Sequence, residues 1–205
     1  MLSLRLLTIA KLIRPNAKVL DVGTDHAYLP IYLKTNKLVK SVIASDVSAN
    51  ALEGARKNLE KFGETDIKLI LSDGLNEVKD EYDTLVISGM GTYTICNILK
   101  DKELPQYIIL SSNNNLEELR TFMNNIKYKI KKEVCVLDKG KYYDIISYEK
   151  GEERLSKKVL RYGKSHDKKY YKYLYNNEKR IFKELNFKNK IKNLPKIIGL
   201  KFLSI

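Results

Sequence analysis

The sequence predicts an α/β fold in which a mainly parallel sheet is closed by an antiparallel hairpin and followed by a small C-terminal helical extension. Short apolar segments alternate with helix-forming segments over the first 125 residues, a pattern typical of a parallel sheet with helices on both faces. Two further strand-like segments then flank the turn sequence DKG, which indicates a hairpin. Beyond Gly151 no strand pattern is present.

Five apolar segments are predicted to form the parallel strands, because each is too short for a helix and is followed by polar or turn-forming residues. They are Lys18–Val22, Ser41–Asp46, Ile67–Leu71, Asp83–Ser88 and Tyr107–Ser111. The helices predicted between them are Tyr28–Thr35, Ser48–Phe62, Thr92–Lys100 and Asn115–Asn125, with Ser48 as the N-cap of the second.

The hairpin is predicted from Tyr128–Leu137 and Lys141–Glu149, with Asp138–Gly140 as its turn. A parallel sheet that ends in an antiparallel hairpin is the arrangement of Rossmann-like class I methyltransferases. A plain dinucleotide-binding domain is not expected to end in this way. We therefore expect a methyltransferase domain over residues 1–150.

Residues 151–205 are expected to form a basic, coiled-coil-like helical extension. Of the formal net charge of +13, only +2 falls on residues 1–150, whereas +11 falls on this last quarter of the chain. A codon bias towards Lys would act on the whole chain, so the uneven charge favours a surface that binds a polyanion. Its apolar residues predict a helical hairpin with a turn near Gly163–His166.

The N-terminal segment MLSLRLLTIAKLIRP is predicted to be an amphipathic helix. Arg5 and Lys11 interrupt its apolar residues, and no small-residue cleavage site follows, so it does not resemble a signal peptide. No apolar segment is long enough to cross a bilayer. Cys96 and Cys135 lack the spacing of metal ligands. We therefore expect a cytoplasmic monomer with no membrane partner and no metal.

The segment DVGTDHAYLP, from Asp21 to Pro30, directly follows the first predicted strand, where this topology places a nucleotide ligand. Only Gly23 of the pyrophosphate-binding pattern GxGxxG is present. The loop instead carries the acids Asp21 and Asp25. Two carboxylates suit a cofactor with a positive sulfonium and an ammonium group, which is S-adenosylmethionine rather than NAD.

Acidic residues also follow the next two predicted strands. Asp46 ends the second strand, at about the spacing at which such folds place an acid on the ribose hydroxyls. Asp73, in the sequence SDG, follows the third strand, where an acceptor would meet the adenine amino group. Each acid alone is also explained by turning the chain or capping a helix. Acids at the ends of three consecutive strands favour a cofactor site.

The fourth strand runs into SGMG, from Ser88 to Gly91, whose glycines allow close approach of a ligand or simply turn the chain. The Asn-Pro-Pro-aromatic motif of adenine-N6 methyltransferases is absent here. The fifth strand runs into SSNNN, where Asn113 is positioned to present an amide to a base or to cap the next helix.

Together these segments resemble the bacterial TrmK family, which methylates N1 of adenine 22 in the D-arm region of tRNA. The resemblance covers about Leu2 to Glu149 and rests on LSLRL, DVGTDHAYLP, SDGL, SGMG and the Asn after the fifth strand. The basic extension is also similar to the C-terminal helical extension of that family. Ser111 and Ser112 stand where the family usually has Gln-Pro.

The resemblance implies S-adenosyl-L-methionine as cofactor and tRNA as partner, bound by the active-site face and residues 151–205. It implies a cofactor site made of Asp21, Gly23, Asp46, Asp73, Gly74, Gly89 and Met90. It implies a target-base pocket of Asp25, His26, Tyr28 and Asn113.

Three other functions compete with this interpretation. They are methylation of another acceptor, RNA binding without catalysis, and NAD-dependent oxidation, which the missing glycines disfavour.

Overall fold

The computed structural model describes residues 2–64, 66–164 and 168–204. The chain forms two compact units, Met1–Arg154 and Leu155–Ile205. The boundary between them lies four residues beyond the end predicted for the methyltransferase domain.

The first unit is built on a seven-stranded sheet in the order β3-β2-β1-β4-β5-β7-β6. The strands are β1 Lys18–Val22, β2 Ser41–Asp46, β3 Lys68–Leu71, β4 Thr84–Met90, β5 Tyr107–Ser112, β6 Tyr128–Asp138 and β7 Lys141–Lys150. The first five pair in parallel, and β7 pairs antiparallel with both β5 and β6. The predicted fold class is therefore confirmed.

Helix α1 Leu4–Leu12 precedes β1, and four helices connect strands: α2 Tyr28–Thr35, α3 Ala49–Phe62, α4 Thr92–Leu99 and α5 Leu116–Asn125. The Ser3 hydroxyl caps α1, and the predicted N-cap Ser48 accepts from the Ala51 N–H at the start of α3. The strands β1, β2 and β5 are buried over most of their length and β4 over its first four residues, as expected for a sheet covered on both faces. This packing fixes the carboxyl ends of the strands.

The order of the strands reverses between β1 and β4. In open α/β sheets a crevice forms outside the carboxyl ends of the strands at such a switch point, and ligands bind there. Because Leu110 of β5 pairs with Ile146 of β7, the residues of β7 before Ile146 extend past β5 at the same edge. The tip of the β6–β7 hairpin therefore projects beside the carboxyl ends of β4 and β5.

Strand β4 is longer than the sequence predicts, because it continues past Ser88 to Met90. The register with β5 shifts between Ser88 and Met90, and Gly89 has a φ of 88°. That left-handed conformation is readily adopted by glycine alone. The irregularity turns the backbone at the edge where a ligand would lie.

The second unit contains α6 Lys157–Tyr162, α7 Lys168–Glu184 and α8 Phe187–Leu203. The packed hairpin is the pair α7 and α8, joined at Leu185 and Asn186. The sequence prediction missed this turn. The turn predicted near Gly163–His166 falls partly on residues 165–167, which lie outside the described residues.

Candidate active site

A cavity of about 400 Å³ lies at the carboxyl ends of β1 to β4. Five of the seven predicted cofactor residues line it: Gly23, Asp46, Asp73, Gly74 and Met90. Asp21 and Gly89 do not line it. The remaining lining residues are Val22, Val47, Ser72, Leu75, Asn76, Tyr93, Thr94, Asn97, Ile98 and Lys102.

The turn after β1 brings the backbone to the floor of this cavity. The N–H groups of Gly23 and Thr24 donate to the Ser45 carbonyl of the neighbouring strand, at 2.8 and 3.0 Å. Gly23 has a φ of 72°, and a Cβ there would meet the methyl group at the end of the flexible Met90 side chain. The left-handed backbone strains any other residue and so favours glycine, which gives one reason for the single glycine of the motif.

Asp21 lies behind the cavity as a buried carboxylate. The Thr24 hydroxyl donates to its Oδ2 at 2.8 Å. Burial raises the pKa of Asp21 to about 6; the bond from Thr24 and the charge of Arg5 lower it, whereas the charge of Asp46 raises it further. A cationic ligand near Asp21 would favour the ionised form of this acid.

Asp46 organises two loops at the end of β2. Its Oδ2 accepts from the Asp25 N–H at 3.1 Å, and its Oδ1 accepts from the Ser48 N–H at 2.9 Å. Asp25 and Ala27 both have left-handed φ values, of 53° and 55°, which cost energy in residues other than glycine. The carboxylate of Asp46 thus holds the strained loop as well as facing the cavity.

The segment after β3 supplies a second acidic wall. The Asp73 N–H donates to Glu77 Oε2 at 2.9 Å, so a hydrogen bond within the segment holds this backbone turn. Gly74 has a φ of 63° and lies against Ile98 of α4. The side chain of Asp73 is exposed and lines the cavity, where a hydrogen-bond donor on a ligand can reach it.

Helix α4 forms a wall that the sequence analysis did not identify. Thr94, Asn97 and Ile98 share one face of this helix at spacings of three and four residues. Lys102, just beyond the helix, donates to Asn76 Oδ1 at 2.6 Å across the rim. The periodicity of the helix was the available signal, but sequence alone did not show which face meets the cavity.

The predicted base-pocket residues fall into two groups at the same edge of the sheet. Asp25 Oδ1 lies 3.7 Å from His26 Nε2, and the rings of His26 and Tyr28 are 5.6 Å apart. Asn113 belongs to the other group, and its Nδ2 donates to the Gly89 carbonyl at 2.6 Å. Within the described part of the chain, no hydrogen bond joins Asn113 to the first group.

Contacts with helix α3 hold the loop that carries the first group. The Asn58 side chain of α3 donates to the His26 carbonyl at 3.0 Å, and the His26 ring packs near Gly54. The side chains of Asp25, His26 and Tyr28 nevertheless remain substantially exposed. Exposed polar and aromatic side chains beside a cavity are suited to receive a second substrate.

Comparisons with known proteins agree with this geometry. A family model described as a methyltransferase domain matches residues 2–146. The tRNA (adenine(22)-N(1))-methyltransferase of Bacillus subtilis is 34% identical over 157 residues, which are 74% of this chain and 66% of that enzyme.

Solved structures extend the likeness to the whole chain. M. capricolum TrmK, in complex with S-adenosyl-homocysteine, is 34% identical, with a TM-score of 0.84 over 99% of this chain and 96% of that one. This chain belongs to the TrmK family. Streptococcus pneumoniae Sp1610, in complex with S-adenosyl-L-methionine, is 30% identical, with a TM-score of 0.87 and full coverage of both chains.

The residues of this TrmK-family chain fit the cofactor by their chemistry. The close-approach turn at Gly23 and the carboxylates of Asp46 and Asp73 surround a cavity that also has apolar walls at Val47 and Leu75. A nucleoside with ribose hydroxyls, an apolar ring and a cationic end needs these surfaces.

Proposed function

We propose that this protein transfers a methyl group from S-adenosyl-L-methionine to N1 of adenine 22 in the D-arm region of tRNA. The observation that carries the proposal is the acid-lined cavity with the exposed loop Asp25–Tyr28 beside it. The relative in Bacillus subtilis is named for this activity, which supports the same reaction here.

When bound, the cofactor supplies an electrophilic methyl group on its sulfonium. We infer that Asp46 accepts from the ribose hydroxyls and Asp73 from the adenine amino group. The turn at Gly23 and the side chain of Met90 line the same cavity at the ends of β1 and β4. Asp21 contributes negative charge from behind the Gly23 turn.

The target adenine carries a usable lone pair on N1, so no strong base has to remove a proton before attack. N1 lies on the Watson–Crick edge, so the base must be unpaired or flipped out of the helix. We propose that Tyr28 packs on this base and that Asp25 and Asn113 accept from its amino group. The methylated ring is cationic, and the exposed carboxylate of Asp25 would stabilise the developing charge.

The product tests this proposal directly. Unmodified tRNA incubated with the protein and cofactor is expected to gain N1-methyladenosine, measured by mass spectrometry of its nucleosides. A tRNA with guanine in place of adenine 22 is the matched control and is expected to gain none. Methyl groups on guanine or on the adenine amino group would contradict the proposal.

Variants of the exposed loop test the base pocket separately from the cofactor site. Asp25→Ala and Tyr28→Ala are expected to lower turnover at least tenfold while the cofactor Kd changes less than twofold. The reason is that both side chains project beyond the cavity. Full activity of both variants would show that the base binds elsewhere.

We also propose that the second unit contributes to tRNA binding by its positive charge. Lys188, Lys192 and Lys201 are exposed on α8, and each phosphate they neutralise would add to the salt dependence of binding. Changing all three to Gln is expected to weaken tRNA binding at 0.15 M salt. Lys37, Lys40 and Lys61 are exposed on the first unit and provide the control triple variant. Equal effects of the two triple variants would count against this role.

The remaining assignments concern assembly and location. We propose that the protein acts as a monomer in the cytoplasm, where its tRNA substrate is found. No described helix is long and apolar enough to cross a membrane. Light scattering after gel filtration is expected to give the mass of one 23.7 kDa chain, and a dimer mass would contradict the first assignment.

A further inference from the structure

A cluster of cationic and aromatic side chains lies where α1 meets the tip of the β6–β7 hairpin. We name it the hairpin cluster and define it as Arg5, Lys141 and Tyr143. The Arg5 Cζ lies 5.2 Å and the Lys141 Nζ 5.0 Å from the centre of the Tyr143 ring. Both distances are within the range of cation–π attraction. The cluster therefore places two positive charges around one aromatic ring.

The backbone holds Arg5 in place and leaves its side chain available. The Arg5 N–H donates to Asp138 Oδ2 at 3.3 Å, and the Ser3 hydroxyl caps the helix in front of it. Among the residues that the structure describes, no carboxylate lies within 4 Å of the guanidinium. Its hydrogen-bond donors are thus not consumed by an ion pair of the protein.

The guanidinium points to the edge of the sheet where methyl transfer is proposed. A Cβ at Gly89 would lie 3.0 Å from Arg5 Nη1, so the glycine leaves room for this side chain. The Gly89 carbonyl accepts from Asn113, one of the residues proposed to hold the target base. The charge of Arg5 also lowers the pKa of the buried Asp21. Arg5 is therefore a near neighbour of both the motif after β1 and the end of β4.

The hairpin cluster lies outside the cofactor cavity, because Arg5, Lys141 and Tyr143 do not line it. A ligand of the cluster would then belong to the second substrate. A planar guanidinium with free donors matches the oxygens of a phosphate in a bidentate geometry. A nearby ammonium adds charge, and basic residues with an aromatic ring are typical of surfaces that bind single-stranded RNA.

We propose that the hairpin cluster binds a phosphate of the tRNA strand next to the adenine that is methylated, with Arg5 as the main ligand. The inference rests on the proposed function and adds to it an RNA contact on the catalytic unit itself. By fixing the strand beside the flipped base, this contact would position N1 for attack. It is separate from the general attraction that the basic helices supply.

Arg5→Gln is the central variant, and Lys11→Gln is its matched control because Lys11 is an exposed cation on the same helix. Arg5→Gln is expected to lower kcat/KM for tRNA at least tenfold, with the cofactor Kd, measured by calorimetry, within twofold of wild type. The slope of log Kd for tRNA against log salt is expected to fall by about 0.7–0.9, the value for one phosphate contact. Lys11→Gln is expected to change neither quantity by more than twofold.

Arg5→Lys keeps the charge and loses the bidentate geometry, so it is expected to recover part of the activity while retaining the wild-type salt slope. An unchanged thermal midpoint would establish that the Arg5 variants are folded. A cofactor Kd weakened tenfold with unchanged tRNA binding would assign Arg5 to the cofactor carboxylate and overturn the proposal. Equal losses in Arg5→Gln and Lys11→Gln would also overturn it.

Failure of the proposed function would be seen in the wild-type protein alone, as absence of methylated tRNA. The tRNA Kd values of the variants, measured by fluorescence anisotropy, test the phosphate contact independently of that activity. A tRNA Kd and salt slope that are the same in wild type and Arg5→Gln would refute the contact.

Discussion

The buried carboxylate of Asp21 should make the stability of the cofactor-free protein depend on pH. The folded protein keeps the Asp21 proton up to about pH 6, whereas the unfolded chain loses it near the ordinary value of 3.8. The folded state therefore binds more protons between these two values. The free energy of unfolding must fall as pH rises through this window, because the unfolded state has released its proton and the folded state has not.

The size of this effect follows from the two pKa values. A difference of about two pH units, at about 1.4 kcal/mol each, corresponds to about 3 kcal/mol. Asp21→Asn removes the ionisable group, and the amide oxygen can still accept from the Thr24 hydroxyl. Relative to wild type, the variant should gain about 3 kcal/mol of stability between pH 4 and pH 7.

The assay is urea unfolding of the cofactor-free protein at several pH values, with the wild-type curve subtracted at each pH. Subtraction removes the titration of all other groups. Asp73→Asn is the matched control, because this strand-end acid is exposed. A difference between Asp21→Asn and wild type that stays constant from pH 4 to pH 7 would refute the argument that burial governs this carboxyl.

Three further outcomes follow from other parts of the first unit. Asp46→Ala should weaken cofactor binding by about 1.5–3 kcal/mol in calorimetry, since it removes a charged acceptor and frees the Asp25 N–H. Its control is Glu60→Ala, a change of an exposed acid on α3. Equal cofactor affinities of Asp46→Ala and Glu60→Ala would exclude Asp46 as a ligand. Glu133→Gln should lower the free energy of unfolding in urea by about 3–5 kcal/mol, because the Arg120 guanidinium is buried against that carboxylate. A decrease below about 1 kcal/mol would show that this ion pair is dispensable for stability. Gly23→Ala should weaken cofactor binding, since alanine is strained in this left-handed turn and its Cβ meets the Met90 side chain, and wild-type affinity would contradict the close-approach argument.

The sequence predicted the parts of the fold that local patterns determine. The strands Lys18–Val22 and Ser41–Asp46 and the helix Tyr28–Thr35 have the predicted bounds, because polar or turn residues flank short buried segments. The helical extension was predicted as a whole, but the turn at Leu185 and Asn186 that separates α7 from α8 was missed. Helix α8 also continues through Pro195, a residue that normally ends a helix.

The residues of the candidate site also fall into those that local sequence patterns predict and those whose place depends on tertiary packing. Acids at the ends of consecutive strands could be found from sequence, because parallel strands bring their carboxyl ends to one edge. Arg5 could not be assigned a neighbour, since its approach to Gly89 depends on how α1 packs against the hairpin. The two predicted cofactor residues that do not line the cavity, Asp21 and Gly89, each precede a residue that does, Val22 and Met90. Which residue of such a pair faces the cavity depends on tertiary packing, which sequence spacing alone does not give.

The hairpin that closes the sheet also supplies one of its two edge strands. An open sheet has two edge strands, and exposed backbone groups there can recruit a strand from another chain. At one edge, β3 has only four residues. At the other, β6 carries exposed Lys131 and Lys132, and its register shifts between Ile130 and Lys132. A short strand at one side and a charged, irregular strand at the other discourage the recruitment of a strand from another chain at either edge.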